Sequence, residues 1–195
     1  MEEIILATNN QGKVNEIKEI LKNKKIISLK EANINLEIEE DKETFKENAL
    51  KKALYISKIT NKACIADDSG LCIDILNGFP GVKTARFLGE NATQKERNLY
   101  ILNKLKGIEK QKRTAKVITC IAYVKPKQIS EVFTGVLEGY IANEPKGDNG
   151  FGFDEIFELE NGKTLAQLDS KQKNEISSRK IALIKLKEKY FTKEE

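Results

Sequence analysis

The sequence predicts an α/β protein with a mixed β-sheet, and two patterns along the chain support this prediction. Near the N-terminus, the apolar run at residues 4–7 is followed by a polar loop and then by apolar residues at helical spacing, which is typical of a strand and a helix. Further along, residues 115–124 are rich in Val, Ile and Thr, a turn follows, and residues 132–137 and 140–142 return as strand. The second pattern predicts an antiparallel hairpin, so parallel and antiparallel strands are expected in one sheet.

Length and composition limit the class of protein. The chain has 195 residues, of which 39% are hydrophobic and 33% charged, which suits one domain, or one domain of two lobes, with a real core. A net charge of +4, spread over lysine-rich helix faces, does not favour a nucleic-acid partner. No apolar run approaches the ~20 residues of a membrane span, and no signal-peptide pattern is visible. Three cysteines without CxxC spacing favour reduced thiols in a cytoplasmic protein over disulfides or a zinc site.

Apolar spacing and capping signals predict four helices. The third is opened by a Thr-Gln-Lys-Glu capping box, and Leu99, Leu102 and Leu105 are expected to form its buried stripe. The helices are expected over residues 14–21, 44–58, 93–107 and in the segment that follows 176–179.

A polar loop between the first strand and the first helix has a layout that can bind phosphate. Free N–H groups at the start of a helix, together with one lysine, attract phosphate oxygens. The loop is not a Walker A motif, because the first glycine is missing and Val14 follows the lysine. A plain strand-to-helix connection is the alternative. The loop consists of Thr8, Asn9, Asn10, Gln11, Gly12 and Lys13.

Two adjacent carboxylates, Asp67 and Asp68, follow the apolar run 63–65 and precede Ser69 and Gly70. Neighbouring side chains of an extended segment point to opposite faces, so the two carboxylates are not expected to face one site. We expect one of them to face a site and the other to brace the chain. From these residues alone, an ordinary Asp-Ser-Gly turn after a strand is the simpler interpretation.

The chain contains no histidine, which excludes Ser-His-Asp and Cys-His catalysis by its own side chains. Acid–base chemistry must therefore come from carboxylates, Lys, Tyr, Cys or metal-bound water. The acidic connection at residues 30–43 is either a solvated loop or a source of oxygen ligands for Mg²⁺. Its candidate acids are Glu37, Glu39, Glu40, Asp41 and Glu43.

A segment rich in glycine and phenylalanine at residues 150–154 is hard to explain as core alone. Glycines allow a backbone to approach a ligand, and phenylalanine can stack on a flat ring. The carboxylate of Asp154 can accept a hydrogen bond from an exocyclic amine or a ring N–H. A hairpin loop with its aromatic rings in the core is the alternative. Lys52, Lys173 and Arg179 are either surface charges or groups that meet a phosphate.

Six motifs follow one another along the chain: Thr8–Lys13, Thr44–Ala49, Ala66–Leu71, Gly81–Phe87, Gly150–Asp154 and Ile176–Arg179. Their order and spacing closely resemble the inosine triphosphatase family, the non-canonical purine nucleoside triphosphate pyrophosphatases. The resemblance extends from Ile4 to the last helix. It implies a single domain over residues 1–195, with an α/β fold of two lobes around a long mixed β-sheet and a central cleft.

The resemblance also implies an activity and a set of site residues. We expect a homodimer that uses Mg²⁺ to hydrolyse XTP, ITP and dITP to the monophosphate and pyrophosphate. Asp68 matches the family's catalytic base and metal ligand, and Glu39 matches the second metal carboxylate, with Glu40 as the adjacent alternative. The residues expected to contact the substrate are Thr8 to Lys13, Lys52, Ser69, Phe151, Gly152, Phe153, Asp154, Lys173, Ser178 and Arg179.

Two departures from the family pattern concern base selectivity more than phosphate chemistry. Ser178 stands where the family usually has histidine, and Phe153 and Glu155 stand where it usually has tyrosine and proline. The alternatives are a nucleotide-binding module without turnover and a pyrophosphatase of altered base specificity, including one that acts on pyrimidine nucleotides. A nucleic-acid-binding protein has little support, because no basic stripe with interleaved aromatic residues is present.

Overall fold

The computed structural model describes residues 2–89 and 91–191. The helices are α1 (Gln11–Ile20), α2 (Phe45–Thr60), α3 (Gln94–Lys104), α4 (Ser170–Ile176) and α5 (Ser178–Tyr190). The strands are β1 (Glu3–Leu6), β2 (Lys25–Ser28), β3 (Ala63–Ile73), β4 (Phe79–Pro80), β5 (Thr114–Lys125), β6 (Ile129–Ile141) and β7 (Phe157–Glu158).

The strands form one mixed sheet in the order β2-β1-β3-β5-β6-β7, with β4 paired to β3. Strand β1 runs parallel to both β2 and β3, which follows from the helical connections between them. The pairs β3–β4 and β6–β7 are antiparallel. The predicted α/β class and the mixed sheet are therefore confirmed. No helix among the described residues has the length and apolar character needed to cross a bilayer.

The chain divides into two compact units. Unit 1 comprises Met1–Asp68, Thr119–Gly135 and Ser178–Glu195, and unit 2 comprises Ser69–Ile118 and Val136–Ser177. Each unit has its own apolar core. The core of unit 1 includes Ile4, Leu6, Ile17, Ile65, Ile121 and Leu183. The core of unit 2 includes Leu71, Ile73, Phe87, Ile101, Phe153 and Phe157.

The third helix confirms its predicted start but corrects its predicted buried stripe. The side chain of Thr93 accepts a hydrogen bond from the Glu96 N–H, and Glu96 accepts one from the Thr93 N–H, so the capping box is complete. Leu99, however, is 43% exposed, whereas Ile101 and Leu105 are buried. The stripe is displaced because two polar residues of the helix, at positions 97 and 98, are buried through hydrogen bonds that apolar periodicity does not reveal.

A glycine in β6 allows the first turn of α5 to pack directly against the sheet. A Cβ atom placed on Gly135 would lie 2.0 Å from the carbonyl oxygen of Ser178 and 2.8 Å from the backbone nitrogen of Ala182. Both contacts are with backbone atoms, which cannot rotate away as a flexible side chain does. The glycine therefore fixes where α5 begins relative to β6.

We expect Gly135→Ala to lower the free energy of unfolding by about 2 kcal/mol or more, because overpacking against backbone forces the helix away from the strand. Chemical denaturation followed by circular dichroism measures this loss. Val136→Ala is the matched control, since Val136 is the next residue of β6 and is 38% exposed. Equal losses in the two variants would contradict this account.

Candidate active site

The two adjacent aspartates lie inside a continuous strand. Strand β3 runs through Asp67, Asp68, Ser69 and Gly70 to Ile73, so the turn expected after Ile65 is wrong. Both carboxyl groups are buried, with Asp67 0% and Asp68 4% exposed. Because the backbone stays extended, the neighbouring side chains leave the strand on opposite faces. They consequently have different surroundings.

Asp67 is the centre of a buried ionic network. Its Oδ2 atom lies 3.0 Å from Lys13 Nζ and 3.1 Å from Arg179 Nη2. The other end of the Arg179 guanidinium donates to the carboxylate of Glu16 on α1. Burial alone would raise the pKa of Asp67, but the positive charges of Lys13, Arg179 and Lys52 hold that pKa well below its ordinary value. Asp67 is therefore favoured in its ionised form, and this carboxylate holds the ammonium of Lys13.

Asp68 has the opposite electrostatic character. Burial, followed by the negative charge of Glu40, raises the pKa of Asp68 from 3.8 to about 6, against the opposing effects of Lys52, Lys13 and a hydrogen bond from Asn48. A carboxylate with a pKa near neutrality can accept a proton from a reacting group and release it again. Of the two aspartates, Asp68 is the one suited to act as a base.

Helix α2 supplies the groups around Asp68. Lys52 Nζ donates to the backbone oxygen of Asp67 at 2.5 Å and contacts the carboxylate of Glu40. Burial would lower the pKa of Lys52, but Asp67, Glu40 and Asp68 raise it above the ordinary value, so the ammonium stays charged. One turn earlier, Asn48 Oδ1 accepts from the N–H of Lys42 at 2.9 Å and ties the acidic segment to α2. Both residues are buried, as their shared helix face permits.

The acidic segment places its two neighbouring glutamates differently. Glu40 is half-buried, its carboxylate contacts Lys52, and its charge acts on Asp68. Glu39 is exposed, and its backbone oxygen accepts a hydrogen bond from Lys51 Nζ at 2.8 Å. The geometry of the described residues thus brings Glu40 rather than Glu39 into the Asp68 cluster.

The loop before α1 has the structure of an exposed helix start. Asn10 is the N-cap, and its Oδ1 accepts from the Lys13 N–H at 3.1 Å. The Asn10 N–H donates to Thr8 Oγ1 at 3.2 Å, and Asn9 Nδ2 donates to the backbone oxygen of Leu36 at 3.2 Å. From Thr8 to Lys13 every residue is exposed or half-buried. A helix start of this kind, with a lysine held beside it, is favourable for an anion.

The predicted aromatic loop in unit 2 is held by one carboxylate. Asp154 Oδ2 accepts from the Phe151 N–H at 2.7 Å and from Lys173 Nζ at 2.5 Å. The same ammonium lies 4.1 Å from the centroid of the Phe151 ring, which is a cation–π contact. Gly150 has φ +83°, and a Cβ atom on it would lie 2.1 Å from Asp154 Oδ2. The loop therefore needs glycine at this position in order to close on Asp154.

Several residues predicted to contact the substrate are buried among other side chains of the protein. The ring of Phe153 is buried and stacks on Phe87, with 6.2 Å between centroids, as the core alternative expected for it. Ser178 is 3% exposed, and its hydroxyl lies 2.8 Å from that of Thr119. Arg179 is 6% exposed. Ser69 and Gly152 are each partly accessible.

Sequence reasoning did not single out Glu16, although it binds the Arg179 guanidinium. The available signal was its position three residues after Lys13, which places both side chains on one face of α1. The buried polar pair on α3 was also missed, since nothing in apolar spacing distinguishes a buried arginine from a solvated one.

Taken together, the mixed sheet, the exposed helix start and the buried lysine–carboxylate cluster define an α/β protein with a candidate phosphate-binding catalytic site. The sequence matches the Ham1 family over residues 4–189, and the chain belongs to this family.

Similar proteins include the dITP/XTP pyrophosphatase of Bacillus subtilis, which is 48% identical over 189 residues, covering 95% of this chain and 96% of the relative. A dITP/XTP pyrophosphatase of Clostridium tetani is 47% identical, covering 97% of this chain and 96% of the relative. Among solved structures, the Staphylococcus aureus Ham1 protein is 40% identical with a TM-score of 0.86, covering 96% of this chain and 97% of that one. The expected family resemblance is confirmed.

The two aspartates are expected to change stability in opposite directions when each is replaced by asparagine. Asp67→Asn leaves the buried Arg179 and the half-buried Lys13 without the carboxylate between them, so we expect a loss of about 3 kcal/mol in the free energy of unfolding. Asp68→Asn removes a charge that the fold disfavours, so at pH 8 without divalent ions we expect a gain of about 2 kcal/mol.

The pH dependence of the second variant provides the control. Between about pH 4 and pH 6, folded Asp68 retains a proton that the unfolded chain has released, so its contribution lowers stability as pH rises. The gain from Asp68→Asn should therefore shrink toward zero as pH falls to 4. Urea denaturation in chelator at several pH values measures it, and a gain that does not depend on pH would refute the assignment.

Proposed function

We propose that this chain hydrolyses non-canonical purine nucleoside triphosphates, namely XTP, ITP and dITP, to the monophosphate and pyrophosphate. Such an activity removes damaged nucleotides from the precursor pool. The observation that carries the proposal is Asp68, a buried carboxyl whose pKa lies near neutrality beside the ammonium groups of Lys52 and Lys13. The activity named for the similar bacterial proteins supports it. We propose that residues 1–195 act as one catalytic domain.

The chemistry assigned to unit 1 is charge neutralisation and proton transfer. The N–H groups and polar side chains of the Thr8–Lys13 loop bind the triphosphate, and Lys13 and Lys52 offset its negative charge. Asp68 takes a proton from a water molecule as the water oxygen bonds to the α-phosphorus, beside the α–β bridge. The bridging P–O bond breaks in line with this attack, and pyrophosphate leaves with the bonding electrons.

The buried guanidinium of Arg179 has a positioning role in this scheme. It is held by Asp67 and Glu16, and through Asp67 it fixes the ammonium of Lys13. A bidentate, permanently charged group suits this task, because it can bind two carboxylates in fixed directions at once.

We propose Mg²⁺ as the cofactor, with Asp68 and Glu40 as its protein ligands and Glu39 as the alternative to Glu40. The fit rests on the surroundings of Asp68: burial and, after it, the negative charge of Glu40 raise the pKa of this carboxyl, and a bound cation would offset both effects. Among the described residues, no group of three or more acidic, His or Cys side chains converges on one point. Mg²⁺ is commonly bound by one or two carboxylates together with phosphate oxygens and water, which is the arrangement we propose. When bound, the ion neutralises phosphate charge and acidifies a water molecule.

We assign base recognition to the unit 2 loop with Phe151, Gly152, Asp154 and Lys173. The half-buried Phe151 ring provides a stacking face, and Asp154 and Lys173 provide an acceptor and a donor beside it. The departure at Ser178 favours a second candidate, a pyrophosphatase of altered base specificity. Its hydroxyl, bonded to Thr119, cannot supply the charged or two-nitrogen donor set of a histidine.

We further propose a cytoplasmic homodimer. The family resemblance supports the dimer. The free thiols of Cys64, Cys72 and Cys120 support a reducing compartment such as the cytoplasm. Light scattering on the purified chain tests the dimer, and a monomeric mass at micromolar concentration would exclude it.

Product analysis tests the activity. With Mg²⁺ we expect pyrophosphate release from ITP, dITP and XTP, at least about tenfold slower release from ATP and GTP, and none in chelator. Asp68→Asn should lower turnover by about 100-fold or more, because proton transfer to a positioned base contributes that much. Equal turnover of ATP and ITP would select the altered-specificity candidate. Tight nucleotide binding without any pyrophosphate would leave only a binding module.

The two neighbouring glutamates offer a matched test of the metal assignment. Glu40→Gln is expected to raise the Mg²⁺ concentration for half-maximal activity by about tenfold, because one carboxylate ligand becomes a neutral amide. Glu39→Gln should leave it within about twofold. The reverse pattern in a magnesium titration would transfer the ligand role to Glu39.

A further inference from the structure

Helix α3 carries two adjacent polar side chains that the proposed reaction does not use and that are nevertheless buried. Arg97 is 7% exposed and Asn98 is 1% exposed. Both belong to unit 2, as does the base-side loop, by which we mean residues 150–155. Burying an arginine and an amide is costly unless every polar group has a purpose. Their hydrogen bonds show what that purpose is.

Arg97 holds three backbone carbonyls with three different nitrogen atoms. Its Nε donates to the oxygen of Phe87 at 3.1 Å, Nη1 to that of Ala92 at 2.6 Å and Nη2 to that of Gly89 at 2.8 Å. Leu88 and Gly89 have φ values of +69° and +85°, so this backbone is held in a left-handed conformation that leucine rarely adopts. Only a guanidinium has the fixed fork of donors that binds all three carbonyls together.

The residue held by the Arg97 Nε atom packs against the base-side loop. The ring of Phe87 lies nearly parallel to that of Phe153, with 6.2 Å between centroids and 16° between planes. Phe153 is flanked by Gly152 and Asp154, so a displacement of Phe87 is transmitted directly to the residues assigned to the base. Close-packed interiors have low compressibility and transmit strain between neighbouring side chains.

Asn98 contacts the same loop directly. Its Nδ2 lies 3.5 Å from the carbonyl oxygen of Gly152 and 3.3 Å from Glu155 Oε2. Its Oδ1 accepts from Gln94 Nε2 at 2.9 Å, which fixes the orientation of the amide. Gly152 has φ +66°, so Asn98 holds the loop at a position where its backbone conformation is unusual.

We propose that Arg97 and Asn98 are positioning residues that set the base-side loop and thereby determine discrimination among purine bases. The proposal rests on the proposed function and adds residues that do not touch the substrate. Arg97 acts through Phe87 and Phe153, and Asn98 acts on Gly152 and Glu155. The residues proposed to bind the triphosphate lie in unit 1. Loss of the positioning by Arg97 and Asn98 therefore changes base selection without changing the phosphate chemistry.

Steady-state kinetics on ITP and ATP with Mg²⁺ test the proposal. For Arg97→Gln and Asn98→Ala we expect the ITP-to-ATP ratio of kcat/KM to fall about fivefold or more, through a higher KM for ITP, while kcat changes less than about twofold. Arg97→Lys keeps the charge but not the fork, so its ratio should lie between those of Arg97→Gln and the native chain.

The matched control is Arg113→Gln. Arg113 is also a buried arginine of unit 2, 3% exposed, but its guanidinium bonds to the Asn143 side chain and the Ala142 carbonyl. We expect it to lose stability to a similar degree and to keep the base ratio. Leu99→Ala, on the solvent face of α3, should change neither.

Hydrogen exchange separates this inference from the proposed function. Amides in residues 150–155 should exchange about fivefold faster in Arg97→Gln than in the native chain, and unchanged in Arg113→Gln. Equal exchange in the two variants, or an unchanged base ratio in an active Arg97→Gln enzyme, would overturn the inference. If the native chain hydrolyses neither nucleotide, the discrimination claim falls with the proposed function, and exchange alone decides the positioning.

Discussion

The shared carboxylate of Asp67 is the interaction on which the site in unit 1 depends. One buried oxygen atom receives both Lys13 and Arg179, and Arg179 is completed by Glu16. A buried charge without its partner costs several kcal/mol, so loss of any one of these four groups is expected to destabilise the other three. Since they come from α1, β3 and α5, this ionic network also fixes the three elements relative to one another. The position of Lys13, for which we propose phosphate binding, is thus set by the folded chain itself.

Neighbouring aspartates with contrasting pKa values follow from the extended backbone between them. Asp67 faces positive groups that lower its pKa, while burial and Glu40 raise the pKa of Asp68 to about 6. The strand separates the two environments, which under the proposed function suits Asp67 to positioning and Asp68 to proton exchange. Such a pair divides positioning and acid–base work between identical side chains.

The sequence predicted most elements because their signals are local. Apolar spacing located α1 and β1, and the Thr93 capping box gave the start of α3, since caps and periodicity act within a few residues. The continuation of β3 through Asp67 could not be predicted in this way. An Asp-Ser-Gly segment favours a turn by itself, and here it stays extended because it lies inside the 11-residue strand β3, whose partner strands β1 and β5 are distant from it in sequence. Tertiary partners overrode local propensity at the candidate site, where such conflicts are expected.

Ser178, in place of the family's usual histidine, bears on base selection more than on the ionic network around Asp67. Ser178 has a neutral hydroxyl bonded to Thr119, so replacing a family histidine there adds no charge beside Arg179, the next residue of α5. The ionic contacts that hold Lys13 are made by Asp67, Arg179 and Glu16, whereas the Ser178 hydroxyl is bonded to Thr119. Phe151, Asp154 and Lys173, to which we assign base recognition, are held by their own contacts in unit 2. If these assignments hold for the proposed function, a change in base-side contacts can alter base selection while the groups proposed to bind phosphate stay fixed by buried charge.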